Sequence, residues 1–93
     1  TDIKENSSLS YLDIYPNPTN SIANVAFGMK QSENVLITVY NMLGQKVMTD
    51  NEGVLAQGQH IIQLDGSNLT NGIYFVNIIA NNNSITKKVI ISK

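Results

Sequence analysis

The sequence predicts an all-β domain, a seven-stranded immunoglobulin-like β-sandwich. Three observations lead there. Ile and Val, 12 and 7 of the 93 residues, dominate the apolar set and favour strands. Polarity comes from 13 Asn, 8 Ser and 6 Thr rather than from charge, which is only 14% of the chain, and Asn and Thr are poor helix interiors. Short apolar stretches recur at roughly 8–14-residue intervals between turn residues, and no helix-period run of ten residues exists. A chain of this length buries about 64% of its unfolded surface, enough for one core without staples. Seven antiparallel strands fill two packed sheets more readily than they close a wide barrel.

The elements follow in order. Residues 1–8 are polar and aperiodic and read as a linker, with the folded domain spanning 9–93. The first strand, Leu9 to Tyr15, puts Leu12 and Ile14 on one face and stops at Pro16-Asn17-Pro18, where two prolines remove ladder donors. The Asn17 side-chain oxygen is expected to cap that turn. The second, Ser21 to Phe27, points Ala23, Val25 and Phe27 inward and Ile22, Asn24 and Ala26 outward, and a loop begins at Gly28. The third, Val35 to Tyr40, buries Val35, Ile37 and Val39. Asn41-Met42-Leu43-Gly44 turns the chain into the fourth, Gln45 to Thr49, with Gly44 supplying a positive φ.

Asp50 to Gly58 reads as a longer loop punctuated by Gly53 and Gly58. The fifth strand, Gln59 to Leu64, points His60, Ile62 and Leu64 one way, and Asp65-Gly66-Ser67-Asn68 follows as an Asx-turn. The sixth, Ile73 to Ala80, is the most apolar and is expected at the centre of a sheet. Asn81-Asn82-Asn83 turns into the seventh, Ile85 to Ser92.

Composition excludes several function classes. A net charge of −1 without arginine offers no basic stripe for nucleic acid. The absence of cysteine removes disulfides, thiolate catalysis and most structural zinc sites. No window approaches a membrane-spanning helix. The chain opens on Thr1 without a signal peptide, so any targeting leader is expected elsewhere. No catalytic residue, metal or cofactor is expected. The lone histidine, His60, reads as a half-buried strand residue, and Asp50 with Glu52 lacks a surrounding cleft.

Lys87, Lys88 and Lys93 sit beside Val89, Ile90 and Ile91 in the last strand. Lysines protect an edge strand from aggregation, and they also set the register of a strand that docks on a partner's sheet. Self-association through that edge is a further reading, against a monomeric isolated domain.

Four segments carry a resemblance: Tyr15-Pro16-Asn17-Pro18, Val39 to Val47, Leu69-Thr70-Asn71-Gly72-Ile73-Tyr74-Phe75-Val76, and Lys87 to Lys93. In this order and spacing they resemble the type A C-terminal sorting domain of the type IX (Por) secretion system, over about residues 9–93. Asn41 stands where relatives often carry Asp. The resemblance implies a noncatalytic signal domain preceded by a cargo protein. Its partners would be the outer-membrane translocon, a shuttle protein and a cysteine-protease-like sortase. The route implied is through the periplasm of a Gram-negative bacterium to the surface or medium, ending in cleavage and release or attachment to lipopolysaccharide. The signal residues so implied are Pro16, Asn17, Pro18, Gly44, Gly72, Tyr74, Lys87, Lys88, Val89, Ile90 and Lys93. Asn6, Ser7 and Ser8, small and polar, form the expected cleavage region. The alternative is a carbohydrate-binding accessory module, which would need Tyr11, Tyr15, Tyr40 and Tyr74 aligned on one face for sugar stacking.

Overall fold

Alternating apolar residues become alternating buried residues most cleanly in β6, while β2 and β3 carry runs of buried residues and β4 has none. The computed structural model describes residues 9–80 and 83–93, so the expected linker with Asn6, Ser7 and Ser8, and residues 81 and 82 of the expected turn, lie outside the described residues. The strands are β1 (Leu9–Tyr15), β2 (Ile22–Met29), β3 (Glu33–Tyr40), β4 (Lys46–Leu55), β5 (Gly58–Asp65), β6 (Gly72–Ala80) and β7 (Asn83–Ile91). They form a three-stranded sheet in the order β1-β2-β5 and a four-stranded sheet in the order β4-β3-β6-β7. Every pairing within the sheets is antiparallel. The domain is thus the expected all-β, seven-stranded sandwich, with β6 inside its sheet as expected. β4 pairs with β3; in the constant-type immunoglobulin arrangement the fourth strand belongs to the other sheet.

The core lies between the sheets. Leu12, Ile14, Val25, Phe27 and Leu64 from one sheet meet Val35, Ile37, Val39, Val76, Ile78 and Val89 from the other. Phe27 is fully buried at the centre, with the His60 ring stacked on it at 5.7 Å. Ala26 does face outward as expected, yet it is buried. It stands between Asp13 and Ile61 on its neighbouring strands, whose longer side chains overtop its methyl group.

Every strand but β1 differs from the sequence reading at one end or both: Glu33 and Asn34 begin β3 ahead of the expected Val35, and Asn83, read as turn, begins β7. β2 continues through Gly28 to Met29, because Gly28 lets the Tyr11 ring lie over it and Met29 is buried. An added Cβ at position 28 would meet Ser10 Oγ and approach Tyr11 Cε1 to 2.7 Å.

The segment read as a loop from Asp50 is strand as far as Leu55. Pairing steps from Val35↔Gly53 to Leu36↔Asn51, which leaves Glu52 as an extra residue. Gly53 has φ +74° and its amide donates to Asn51 Oδ1 at 3.0 Å. Asp-Asn-Glu-Gly has loop composition because it builds a β-bulge inside the strand.

Antiparallel connections sort the chain into two ends. At one end β1 stops, β2 starts, β3 turns into β4, β5 passes into β6 and β7 finishes. Bonds between Thr19 and Ile90 and between Ser92 and Thr19 tie the two sheets together there, while the Gly66 amide, donating to the Ser21 carbonyl, extends the β2–β5 ladder. The chain enters β1 at the opposite end, where Leu9 pairs with Met29.

Candidate functional site

All four motif segments meet at the end of the sandwich remote from Leu9. Asn17 reaches β7 from the β1–β2 connection: the Ile90 amide donates to Asn17 Oδ1 at 3.0 Å, and Asn17 Nδ2 donates to the Lys88 carbonyl at 3.1 Å. Thr19 continues the contact as a short parallel bridge, its amide donating to the Ile90 carbonyl and its carbonyl accepting from Ser92. Asn17 therefore does not cap its own turn. The local donor for such a cap is the Thr19 amide, which is already bound to β7, and Pro18 has no N–H. Pro16 and Pro18 are exposed, and both bonds preceding them are cis.

Thr19 is 2% exposed, and its hydroxyl donates to the Ile22 carbonyl at 2.6 Å. It is a structural hub that the sequence reading passed over. The signal was a hydroxyl residue directly after Pro18, where it closes an ST-turn on the Ser21 amide at 3.3 Å.

The turn after β3 is held by Asn41. Its Oδ1 accepts from the Leu43 and Gln45 amides, and its Nδ2 donates to Gln45 Oε1 at 2.9 Å. Gly44 closes the turn with φ +83°, and its amide donates to the Asn41 carbonyl. The positive φ matches the sequence reading. Met42 and Leu43 at the tip are 67% and 82% exposed, and the sequence reading gave them no role.

Gly72 opens β6 with φ +154°, and Tyr74 is 6% exposed within the core. The Tyr74 hydroxyl donates to the Thr70 carbonyl at 2.8 Å, which fixes the bend into the strand. Asn71 accepts the Lys93 amide, and Lys93 Nζ donates to the Ser67 carbonyl at 2.7 Å, so the end of β7 is moored to the β5–β6 connection.

Lys87 and Lys88 are both exposed and face opposite sides of the sheet, paired with Val76 and Phe75. Val89 is buried and Ile90 half-buried. The Ile90 amide and carbonyl are occupied by Asn17 and Thr19. Among the described residues, a partner that pairs with the outer edge of β7 thus meets unoccupied backbone only before the Lys88 carbonyl, not around Ile90.

Other polar groups fill structural places. His60 Nε2 lies 2.7 Å from the Ala56 carbonyl on a half-buried strand residue, as expected. Ser67 donates its amide to Asp65 Oδ1 at 3.0 Å, the expected Asx-turn, and these bonds to Ser67 hold the Asp65 carboxyl below its ordinary value. Asp50 hydrogen-bonds Glu52, and that bond, partial burial and the Asp50 charge raise the Glu52 carboxyl. Among the described residues no group of three His, Asp or Glu side chains is placed to hold a metal. The half-open space beneath the motifs, about 20 Å³ between Thr19, Leu64, Leu69, Tyr74 and Ile91, has room for about one water molecule. The four tyrosines share no face. Tyr11 and Tyr15 lie on the outside of the three-stranded sheet, Tyr40 lies on the other sheet, and Tyr74 is in the core.

A sandwich whose motif residues are gathered at one end defines a module that offers a shaped surface there. Residues 13–92 match the family of secretion system C-terminal sorting domains, and the chain belongs to that family. It is a sorting signal of the type IX system, a tail that follows a cargo domain, engages the secretion machinery and accompanies export to the cell surface or beyond. No curated protein matches the chain.

Proposed function

We propose that this domain is the part of an exported precursor that the outer-membrane translocon and its shuttle protein capture from the periplasm. A cysteine-protease-like sortase then severs the polar linker at Asn6 to Ser8, and the cargo is released or joined to lipopolysaccharide. Residues 1–8 act as the cleavable tether and residues 9–93 as the folded signal.

One observation carries this reading: the four motif segments converge on the end of the sandwich farthest from Leu9, where the upstream chain enters. A cargo at the N-terminal end leaves that far end open to machinery. Pro16, Asn17, Pro18, Gly44, Gly72, Tyr74 and Lys93 shape it, while Lys87 and Lys88 remain exposed for direct contact.

The test fuses residues 1–93 behind a periplasmic fluorescent protein in a host with a working type IX system. Surface or medium fluorescence, with loss of about 10 kDa from the fusion, is expected from a 10.2 kDa signal. N-terminal sequencing of the released domain is expected to begin between Lys4 and Ser10. An intact fusion that stays uncleaved in the periplasm would remove this reading, and a fragment starting inside β1 would remove the tether assignment.

A further inference from the structure

The turn between β3 and β4 carries more apolar surface than a reversal requires. Tight turns are ordinarily polar, and a tip needs only the right backbone angles. Here Met42 and Leu43, adjacent in sequence, expose 67% and 82% of their surface. Other exposed apolar residues such as Val54 and Ile61 are scattered singly on strands, which is normal for a protein surface.

The backbone under the tip is fixed. Asn41 binds the amides of Leu43, Gly44 and Gln45 through its side-chain and main-chain oxygens, and its own amide donates to the Gln45 carbonyl at 2.9 Å. An apolar group on a preorganised turn loses little conformational freedom when it is buried by a partner. Asn41, Met42 and Leu43 form one wall of a shallow groove whose other wall is Asn71, Gly72, Ile73 and Tyr74, from another of the motif segments.

Charge around this end is mainly positive. Lys46 follows the turn, Lys88 stands two residues from Ile90 and Lys93 is moored to Asn71, against Asp65, whose carboxyl feels the Lys93 charge, and Asp13, two residues before the end of β1. Glu33 and Glu52 lie toward the other end and Asp50 midway along β4. An apolar knob within a basic surround calls for a concave apolar surface with a carboxylate rim.

We propose that Met42 and Leu43 form a plug that enters an apolar, acid-rimmed pocket on a protein of the secretion machinery. This rests on the sorting function proposed above. The end of the sandwich that carries the plug is the one left open by the upstream chain, which enters at Leu9. Interface energy concentrates in a few large side chains seated in pockets, so removing the plug should weaken capture by about tenfold or more.

The test uses the reporter fusion of residues 1–93 and the variants Leu43→Asp, the double change Met42→Ser with Leu43→Ser, and Val54→Ser as an exposed control at the other end. All are expected to melt within about 2 °C of the parent, because exposed side chains contribute little to stability. Export is expected to fall in both tip variants and to hold in the Val54→Ser control. A benzophenone amino acid at position 42 should cross-link to a secretion-machinery protein, identified by mass spectrometry of the adduct. Export of both tip variants at the parent level would overturn the plug while leaving the sorting function intact; failure of the parent itself to be exported would instead remove the sorting function. Flotation with phosphatidylethanolamine and phosphatidylglycerol vesicles, lost in Leu43→Asp, would make the tip a membrane contact and overturn the protein pocket.

Discussion

The Ile90 amide donates to Asn17 Oδ1 at 3.0 Å across 73 residues of sequence. The same carboxamide donates to the Lys88 carbonyl, so one side chain takes the place of a neighbouring strand on the outer edge of β7. Beside it the Thr19 main chain does the same for Ile90 and Ser92. The motif at the end of β1 thus holds the motif at the end of β7.

Asn17→Ala removes both bonds. At a net 0.5–1.5 kcal/mol each, the loss is about 1–3 kcal/mol, or roughly 4–8 °C in melting temperature for each kcal/mol. Hydrogen exchange at the Ile90 amide is expected to accelerate with it. Asn17→Asp keeps an acceptor for Ile90 but turns an oxygen toward the Lys88 carbonyl, so it should not rescue. If Asn17 serves export by holding β7, the Asn17→Ala defect should shrink as cells are grown cooler. A defect of equal size at all temperatures would show direct reading of the side chain.

At Gly44 the backbone, not the space, is limiting. Its φ is +83°, and an added Cβ meets nothing within 4 Å. Gly44→Asn is therefore expected to cost little, since Asn tolerates the left-handed region, while Gly44→Val should cost about 1–3 kcal/mol of strain. Thermal melts of the two variants check this. Equal losses from both would mean that the turn changes its angles.

The strands were legible because alternation at Val35, Ile37 and Val39, or Ala23, Val25 and Phe27, is a local property and one face is buried. The turn at Asn41 and Gly44 was legible because its chemistry is contained in five residues. Glu52 and Gly53 misled because a bulge within a strand and a loop between strands call for the same residue types. At Asn17 the pull was the opposite: side-chain capping is a local habit of asparagine, and only the fold shows that the local donors are gone. The motif segments stand out along the chain, but their gathering at one end does not, since it depends on which strands pair. Met42 and Leu43 read as filler between two strands because exposure is a tertiary fact.

Glu52 gives the domain a small pH dependence of known sign. Its carboxyl is raised above the ordinary value of 4.5 by the hydrogen bond to Asp50, then by partial burial, then by the Asp50 charge. A carboxyl that holds its proton more tightly when folded contributes stability below its unfolded value. That contribution is lost as pH rises through the folded value, where both members become charged. Glu52→Gln keeps a hydrogen-bond donor toward Asp50 without the second charge. Because the pair is near the surface the gain is under about 1 kcal/mol, so the variant should melt about 2–4 °C higher at neutral pH. Below the ordinary carboxyl range the two proteins should melt together. A gain that persists in acid would assign the effect to something other than charge.

The inner-facing lysine of β7 makes the last prediction. Lys87 pairs with the buried Val76 and sits between Ile85 and Val89, both packed on the core, yet its own side chain is exposed at the rim of the sandwich. Ile90 turns both its amide and its carbonyl away from β6, to Asn17 and Thr19. By the two-residue period of a strand, Ser84 and Thr86 turn theirs the same way. Asn17 and Thr19 cover the edge from the Lys88 carbonyl to Ser92, and among the described residues no backbone bond covers the stretch before it. A charge that faces the core side of an edge strand blocks such pairing, because a second sheet laid against it would bury the ammonium. Lys87→Val should therefore let copies associate, seen as a faster-sedimenting species that grows with concentration, while Lys88→Val, on the outer face, should have a smaller effect. If Lys87→Val sediments as the parent does at both concentrations, the lysine is not what guards this edge, and its exposed ammonium is left free to serve the machinery instead.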